Sequence, residues 1–393
     1  MHTNLTFIFD LVVILATASI GSLVCSSLGY PKILGQILGG VIIGPSLLGF
    51  VEHSTFISNI AEIGVILLMF IAGLETNYQE LKRSFDKSFI IALGGIVVPF
   101  GLGVLGIYLM RDNFQLSEAI FTGVILTATS MGITIQTLSE MKKLNTKQGI
   151  SILGAAIIDD IVGIIILTIV LGIFGKGHTS IAILILKILL FFFILSIVGQ
   201  FIYYFALKNN KVLRKIKPVY LLTISLIFAL LFASLASDFG LAAIIGAYFI
   251  GVSISKTNLK HRITKEIERF GHSLFIPVFF VNIGLGVNLA AVFGNLKMAL
   301  VIAAIGIVSK IIGSGIGAKI SGFSNKQSLQ IGVSMVPRAE VALIVANLGL
   351  KTKFIPQDIF TAVILLVIIS TLLTPIILKK LYKDSDDVEK QVA

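Results

Sequence analysis

The stretch Ile150-Ser-Ile-Leu-Gly-Ala-Ala-Ile-Ile-Asp-Asp-Ile-Val-Gly-Ile-Ile-Ile-Leu-Thr-Ile-Val170 decides the fold. A run of about 20 apolar residues is what a helix needs to span a bilayer. This run has that length and is interrupted by two adjacent carboxylates, Asp159 and Asp160. An ionised carboxylate at the centre of a membrane helix costs at least about 2.5–3.5 kcal/mol on insertion scales. The neighbours within one turn are Ile, Val, Ala and Gly, which offset none of that cost. The pair therefore needs partners on other helices, water or a bound cation.

The rest of the chain supplies the same setting. Of 393 residues, 56% are hydrophobic and only 13% charged, and the mean hydropathy is +1.01. Soluble domains carry about 25% charged residues, so the composition reads as an all-α polytopic membrane protein. The lone Cys25 excludes an internal disulfide. The first segment, Leu5 to Leu28, is too long for a signal-peptide core and carries Asp10 where a basic start would stand, so it reads as a retained helix.

Charged, Gly and Pro punctuation predicts thirteen spans, near 5–28, 32–49, 56–74, 88–110, 115–139, 148–174, 179–207, 218–236, 239–254, 263–285, 297–319, 327–350 and 356–378. An odd number places the termini on opposite sides. Of the 31 Lys and Arg, 23 fall on the side holding the C-terminus, five on the other, and Lys187, Lys310 and Arg338 inside spans. The asymmetry predicts a cytoplasmic C-terminus, an outside N-terminus and a cell-membrane location. The net charge of +11 is then topological, and a nucleic-acid partner is excluded.

Spans 1–6 and 8–13 read as two halves of one design, about 5–174 and 218–378, joined by a linker helix near 179–207. Gly39 and Gly44 recur as Gly246 and Gly251, Gly73-Leu-Glu-Thr-Asn77 as Gly284-Leu-Gly-Val-Asn288, and Ser130-Met131 as Ser334-Met335. The offsets of 207, 211 and 204 residues are similar and in order. Seven spans separate the halves, so they run in opposite directions, a signature of secondary transporters. Span 5 clusters Thr127, Thr129, Ser130 and Gly132 at mid-depth, while span 12 carries Pro337, Arg338 and Glu340 at the matching depth. Poor helix formers and a proline both interrupt a helix. Paired interruptions in corresponding positions point to a transporter's binding site, whereas either one alone is commonly a packing kink.

Asp159 and Asp160 lie about 12 residues, roughly 18 Å of helix rise, from the cytoplasmic end of span 6. Lys310 lies at similar depth in span 11. Adjacent residues point about 100° apart on a helix, so one carboxylate can pair with Lys310 while the other faces a cavity. Burial disfavours the charged form of each group and the partner's charge favours it. A balance of that kind lets a site exchange a proton for a cation. Arg338 and Glu340, two apart, pair with each other or with other polar groups, and a role in holding the break is set against direct contact with the ion. Glu75 reads as interfacial. His2, His53, His178, His261 and His272 form no metal-ligand spacing. Gly313-Ser-Gly-Ile-Gly317 lies inside a span and reads as helix packing, not a nucleotide loop.

Ala128-Thr-Ser130, Leu153-Gly-Ala-Ala-Ile-Ile-Asp-Asp-Ile161, Lys310 and Val336-Pro-Arg-Ala-Glu-Val341 together resemble the monovalent cation:proton antiporter-2 family, most closely its NapA-type Na⁺/H⁺ antiporters. The resemblance covers nearly the whole chain. It implies an NhaA-like fold of thirteen helices with a dimerisation part and a mobile core part, hence a homodimer in the lipid bilayer. It implies that Asp160 binds the cation and carries a proton, and that Asp159 pairs with Lys310. Thr127, Thr129, Ser130, Pro337, Arg338 and Glu340 would line or support that site. An Asp-Asp pair in this family goes with electrogenic exchange of two protons per sodium, so an Na⁺/H⁺ antiporter involved in pH homeostasis is expected. Li⁺ or K⁺ are possible cargoes, and no cofactor is expected. No stretch after Lys379 is long enough for a nucleotide-binding regulatory domain, and 379–393 reads as a short cytoplasmic tail. Span 5 lacks the carboxylate that some distant sodium antiporters carry at their break, which leaves its dipole compensation open. Competing readings are a K⁺/H⁺ antiporter, a sodium-coupled organic-anion symporter on the same fold, a channel, and an intramembrane aspartyl protease. The last needs two carboxylates from separate helices, whereas these are adjacent and diverge.

Overall fold

Short polar caps separate long apolar helices. Ser54 accepts from the Ile57 N–H and starts α3 (Thr55–Glu75). Asn77 caps α4 (Tyr78–Arg83), and Thr146 accepts from the Gly149 N–H to open α8 (Lys147–Ile173). Ser324 and Gln327 make a reciprocal capping box on α15 (Asn325–Ser334). Each cap satisfies N–H groups that a helix start otherwise leaves orphaned.

The computed structural model describes residues 6–52, 54–174, 181–208, 216–287 and 296–392. Among these, all regular structure is helical. The remaining helices are α1 (Thr6–Ser27), α2 (Lys32–Ile43), α5 (Phe85–Met110), α6 (Leu116–Thr127), α7 (Met131–Glu140), α9 (Ile181–Lys208) and α10 (Pro218–Asp238). They are followed by α11 (Ala243–Ser255), α12 (Lys260–Phe270), α13 (Ile276–Leu285), α14 (Leu296–Ile320), α16 (Glu340–Lys351) and α17 (Gln357–Val392). Nine segments among the described residues are long and apolar enough to cross a membrane, and three shorter apolar helices accompany them.

The helices pack as two bundles. One gathers α1, α2, α3, α10, α11, α12 and α13; the other gathers α5 to α8 and α14 to α17. The helix α9 leans on α11 and α8, and thus on both. Its outward face exposes Leu186, Leu189, Phe193 and Phe201, as a helix in hydrocarbon does. The closest approach in the second bundle is α5 against α14, where Gly94 meets Gly313 so closely that a Cβ on either would run into the other's carbonyl oxygen. The glycine run of α14 is thus a helix-packing surface, and it brings Lys310 against α5 and α8.

One sequence expectation changes. The stretch 263–285 is not one apolar span. It begins on the charged helix α12, which buries only Ile263 and Ile267, passes through a π-turn at Gly271–Phe275, and becomes apolar in α13. Lys260, Arg262, Lys265, Glu266, Glu268 and Arg269 keep α12 out of hydrocarbon. The stretch after Lys379 continues α17 as helix to Val392, because no Gly or Pro follows Pro375 to stop it. In the 284–288 repeat, Asn288 lies outside the described residues.

Candidate functional site

Spans 5 and 12 both break. The first loses helical structure over 128–130, between α6 and α7, and the second over 335–339, between α15 and α16. The breaks cross, and the Ser130 N–H donates to the Pro337 carbonyl at 2.7 Å. One turn away, the Thr134 hydroxyl donates to the Ser334 carbonyl at the end of α15, at 2.6 Å. Proline has no N–H to offer, so at this crossing Pro337 serves as an acceptor.

Lys310 reaches the crossing from α14. Its ammonium donates to Asp159 Oδ2 at 2.9 Å, to the Thr127 carbonyl at 2.7 Å and to the Gly95 carbonyl at 2.8 Å. Three N–H groups meet three acceptors, so the charge is fully hydrogen-bonded although the residue is 0% exposed. Thr129 adds a second donor to Asp159 Oδ2 at 2.6 Å. Asp159 Oδ1 accepts nothing. A buried ion pair offsets its desolvation only with good geometry and added hydrogen bonds, and on the Oδ2 side both are present.

Asp160, also buried, projects about 100° round α8 from Asp159. Ile152, Ala156 and Asp160 share one stripe of α8 at i, i+4, i+8. Ile152, Leu153 and Ala156 line a cavity of about 10 Å³ together with Thr129, Ser130, Thr134 and Ser334 of the broken helices. The part of α8 one to two turns before Asp160 thus abuts the crossing, where the buried Ser130 hydroxyl still lacks a partner.

Arg338 answers the question of how the break in span 5 is compensated. Its guanidinium donates to the Leu126 carbonyl of α6 and to the Val336 carbonyl, both at 2.6 Å. Lys310 takes the Thr127 carbonyl next to Leu126. The C-terminus of α6 thus faces two buried cations, which is the favourable sign for that end of a helix dipole. The Arg338 backbone is fixed in turn by Ser370 and Thr371 of α17. Arg338 holds the break through backbone carbonyls, and the Glu340 side chain lies outside the described residues. The sequence signal for this was present, since an intramembrane arginine beside a proline must serve freed carbonyls.

Two other arrangements were not read from sequence. Glu140, at the end of α7, accepts from the Lys32 N–H at 2.8 Å and so caps α2 of the opposite bundle. Arg111 joins Glu118 and Asp358, each at 2.8 Å, tying α5, α6 and α17 together.

A family profile described as "Sodium/hydrogen exchanger, transmembrane" matches residues 12–383. The chain belongs to this family. Among relatives of the exchanger, the probable Na⁺/H⁺ antiporter GerT of Bacillus cereus is 39% identical, over 96% of this chain and 99% of that one. The Na⁺/H⁺-K⁺ antiporter GerN of Bacillus cereus is 36% identical, over 98% of each. The exchanger also shares the fold of the sodium proton antiporter MjNhaP1 from Methanocaldococcus jannaschii, with a TM-score of 0.72 over 95% of each chain at 19% identity.

Proposed function

We propose that this exchanger is a secondary Na⁺/H⁺ antiporter of the cell membrane that works by alternating access. The observation that carries the reading is the division within the Asp pair: Asp159 is held by Lys310 and Thr129, while Asp160 is buried on the stripe of α8 shared with Ile152 and Ala156, which line the cavity at the crossed breaks. Asp160 holds either a proton or a cation, and that competition suffices for coupling. Hydroxyls of Thr127, Thr129 and Ser130 supply further oxygen ligands of the kind a hard monovalent cation takes, with Pro337, Arg338 and Glu340 supporting the break.

When the cation arrives, Asp159 and Lys310 exchange charge with it, so that two protons enter for each sodium that leaves. One net positive charge then moves inward per turnover, and exchange is electrogenic. The reading includes thirteen spans with the N-terminus outside and the C-terminus in the cytoplasm. It includes inverted repeats over about 5–174 and 218–378 with a linker at 179–207, a cytoplasmic segment at 379–393, and a homodimer. The bundle of α5 to α8 and α14 to α17 is the mobile part. The name of GerN makes K⁺ the second cation to test.

The test is proton flux in proteoliposomes titrated with Na⁺, Li⁺ and K⁺ at several pH values. Asp160→Asn abolishes exchange with every cation. Wild-type exchange and unchanged cation affinity in that variant would sink the assignment. Sodium-driven anion uptake without proton movement would favour the symporter reading instead.

A further inference from the structure

A second cavity, of about 510 Å³, lies between α9, α4 and α11 with the Lys256 that follows it. Its described lining includes no residue of the crossed breaks, so it is a separate feature from the ion site. The Phe192 and Phe249 rings meet edge to face with centroids 5.2 Å apart. Further along both helices, a Cβ on Gly199 would come within 2.7 Å of the Ser253 hydroxyl. The two contacts advance together in residue number, so α9 and α11 run parallel along the cavity. They finish at the same end, near Lys208 and Lys256.

The walls change character along that direction. At the inner end they are Phe192, Leu195 and Phe249; toward the lysine end they become Gln200, Tyr203, Tyr78 and Lys256. From Phe192 to Tyr204 is about 18 Å of helix rise, a little more than the roughly 15 Å of hydrocarbon in one leaflet. Tyr204 also lines the cavity and is 67% exposed, so the cavity opens sideways onto the lipid-facing side of α9. Lys256 is the one charged side chain among the described lining residues, and no carboxylate accompanies it. Its ammonium stands 3.4 Å from the centroid of the Tyr78 ring. A ring face attracts the cation without supplying a lone pair to its N–H groups. Tyrosines at this depth also belong to an ordinary interfacial belt, but a belt does not account for a graded cavity with a lone cation at its polar end.

We infer that the cavity is a binding slot for one anionic phospholipid of the leaflet on the Lys256 side. The phosphate sits at Lys256, with the Gln200 amide and the Tyr203 hydroxyl as further donors, and an acyl chain lies along Phe192, Leu195 and Phe249. Basic pockets between membrane helices take anionic headgroups in this way. Under the proposed topology this is the cytoplasmic leaflet. Because α9 leans on both bundles, a lipid wedged between α9 and α11 braces the linker helix.

The test is the melting temperature of the whole protein in neutral detergent, titrated with phosphatidylglycerol, phosphatidylcholine or inorganic phosphate. A ligand that binds the folded state raises it by mass action. Phosphatidylglycerol gives a saturable rise, while phosphatidylcholine and inorganic phosphate give none. Lys256→Gln needs about fivefold more phosphatidylglycerol for the half-maximal rise, the factor expected of one interfacial lysine. Ser196→Trp fills the slot from α9 and leaves Lys256 in place, and it abolishes the rise. It is also the variant to use should Lys256→Gln melt too low to titrate. Native mass spectrometry of the same samples finds one more phosphatidylglycerol retained per chain in the wild type than in Ser196→Trp. An equal response to both lipids, or a titration unchanged by either substitution, would overturn the slot. A rise with inorganic phosphate alone would show a small-anion site and overturn it as well. None of these readouts depends on which cation is exchanged.

Discussion

The Ser130 N–H donates to the Pro337 carbonyl at 2.7 Å, so the two interrupted helices meet backbone to backbone at their breaks. Around that bond, both buried cations have backbone tasks. Lys310 and Arg338 hold the carbonyls of Thr127, Leu126, Val336 and Gly95. The carboxylates of α8 are thus presented to a framework whose own dipoles are already compensated. In the proposed cycle a cation at the crossing meets Asp159 already engaged by Lys310 and Thr129, and Asp160 is the carboxylate that takes it.

Lys310→Ala leaves Asp159 buried without its cation and frees two carbonyls. Breaking a buried pair by removing one partner costs about 3–5 kcal/mol. A lower melting temperature in detergent is expected, with partial recovery when Asp159→Asn is added. Equal melting of Lys310→Ala and wild type would show that the pair carries no stability. In proteoliposomes the same variant changes the charge moved per turnover.

Arg338→Lys is not conservative here. The planar fork bridges carbonyls from both breaks, and an ammonium cannot reproduce that geometry. One carbonyl left unsatisfied in the interior costs about 1–3 kcal/mol. The expected result is reduced thermal stability with faster hydrogen exchange at 126–130 and 335–339, and unaltered exchange there would contradict the assigned role.

Gly313→Ala places a methyl against the Gly94 carbonyl. Backbones cannot part without moving Lys310, so overpacking of about 1–3 kcal/mol is expected. Gly315→Ala, on the same helix with only a distant neighbour at 3.5 Å, is the control. Similar melting of the two would show that α5 can retreat freely.

Outside the spans, Glu268 of α12 is hydrogen-bonded to Glu75, and burial pushes its carboxyl above the usual value, with the hydrogen bond from Glu75 opposing. A folded-state pKa above the unfolded one means stability present below about 4.5 and lost as pH rises through the raised value. Glu268→Gln should flatten the decline in melting temperature above that pH. A pH profile unchanged by the substitution would remove Glu268 from the account.

The sequence alone determined the class and the cast. Apolar length fixes membrane helices because unsatisfied backbone cannot sit in hydrocarbon. Asp159, Asp160, Lys310, Pro337 and Arg338 were conspicuous because charge and proline are costly there. What only tertiary structure decided was which charge meets which. Periodicity places Asp159 and Asp160 about 100° apart but does not say which one turns to Lys310; that follows from the way α8 packs on α5, which brings Asp159 Oδ2 within 2.9 Å of the Lys310 ammonium. Arg338 had two readings open in sequence, and the crossing gave it two backbone carbonyls. Glu140 and Arg111 found their partners more than 100 residues away along the chain, at Lys32 and Asp358. Local pattern carries no trace of such pairings, because they arise from helix packing and not from neighbours along the chain.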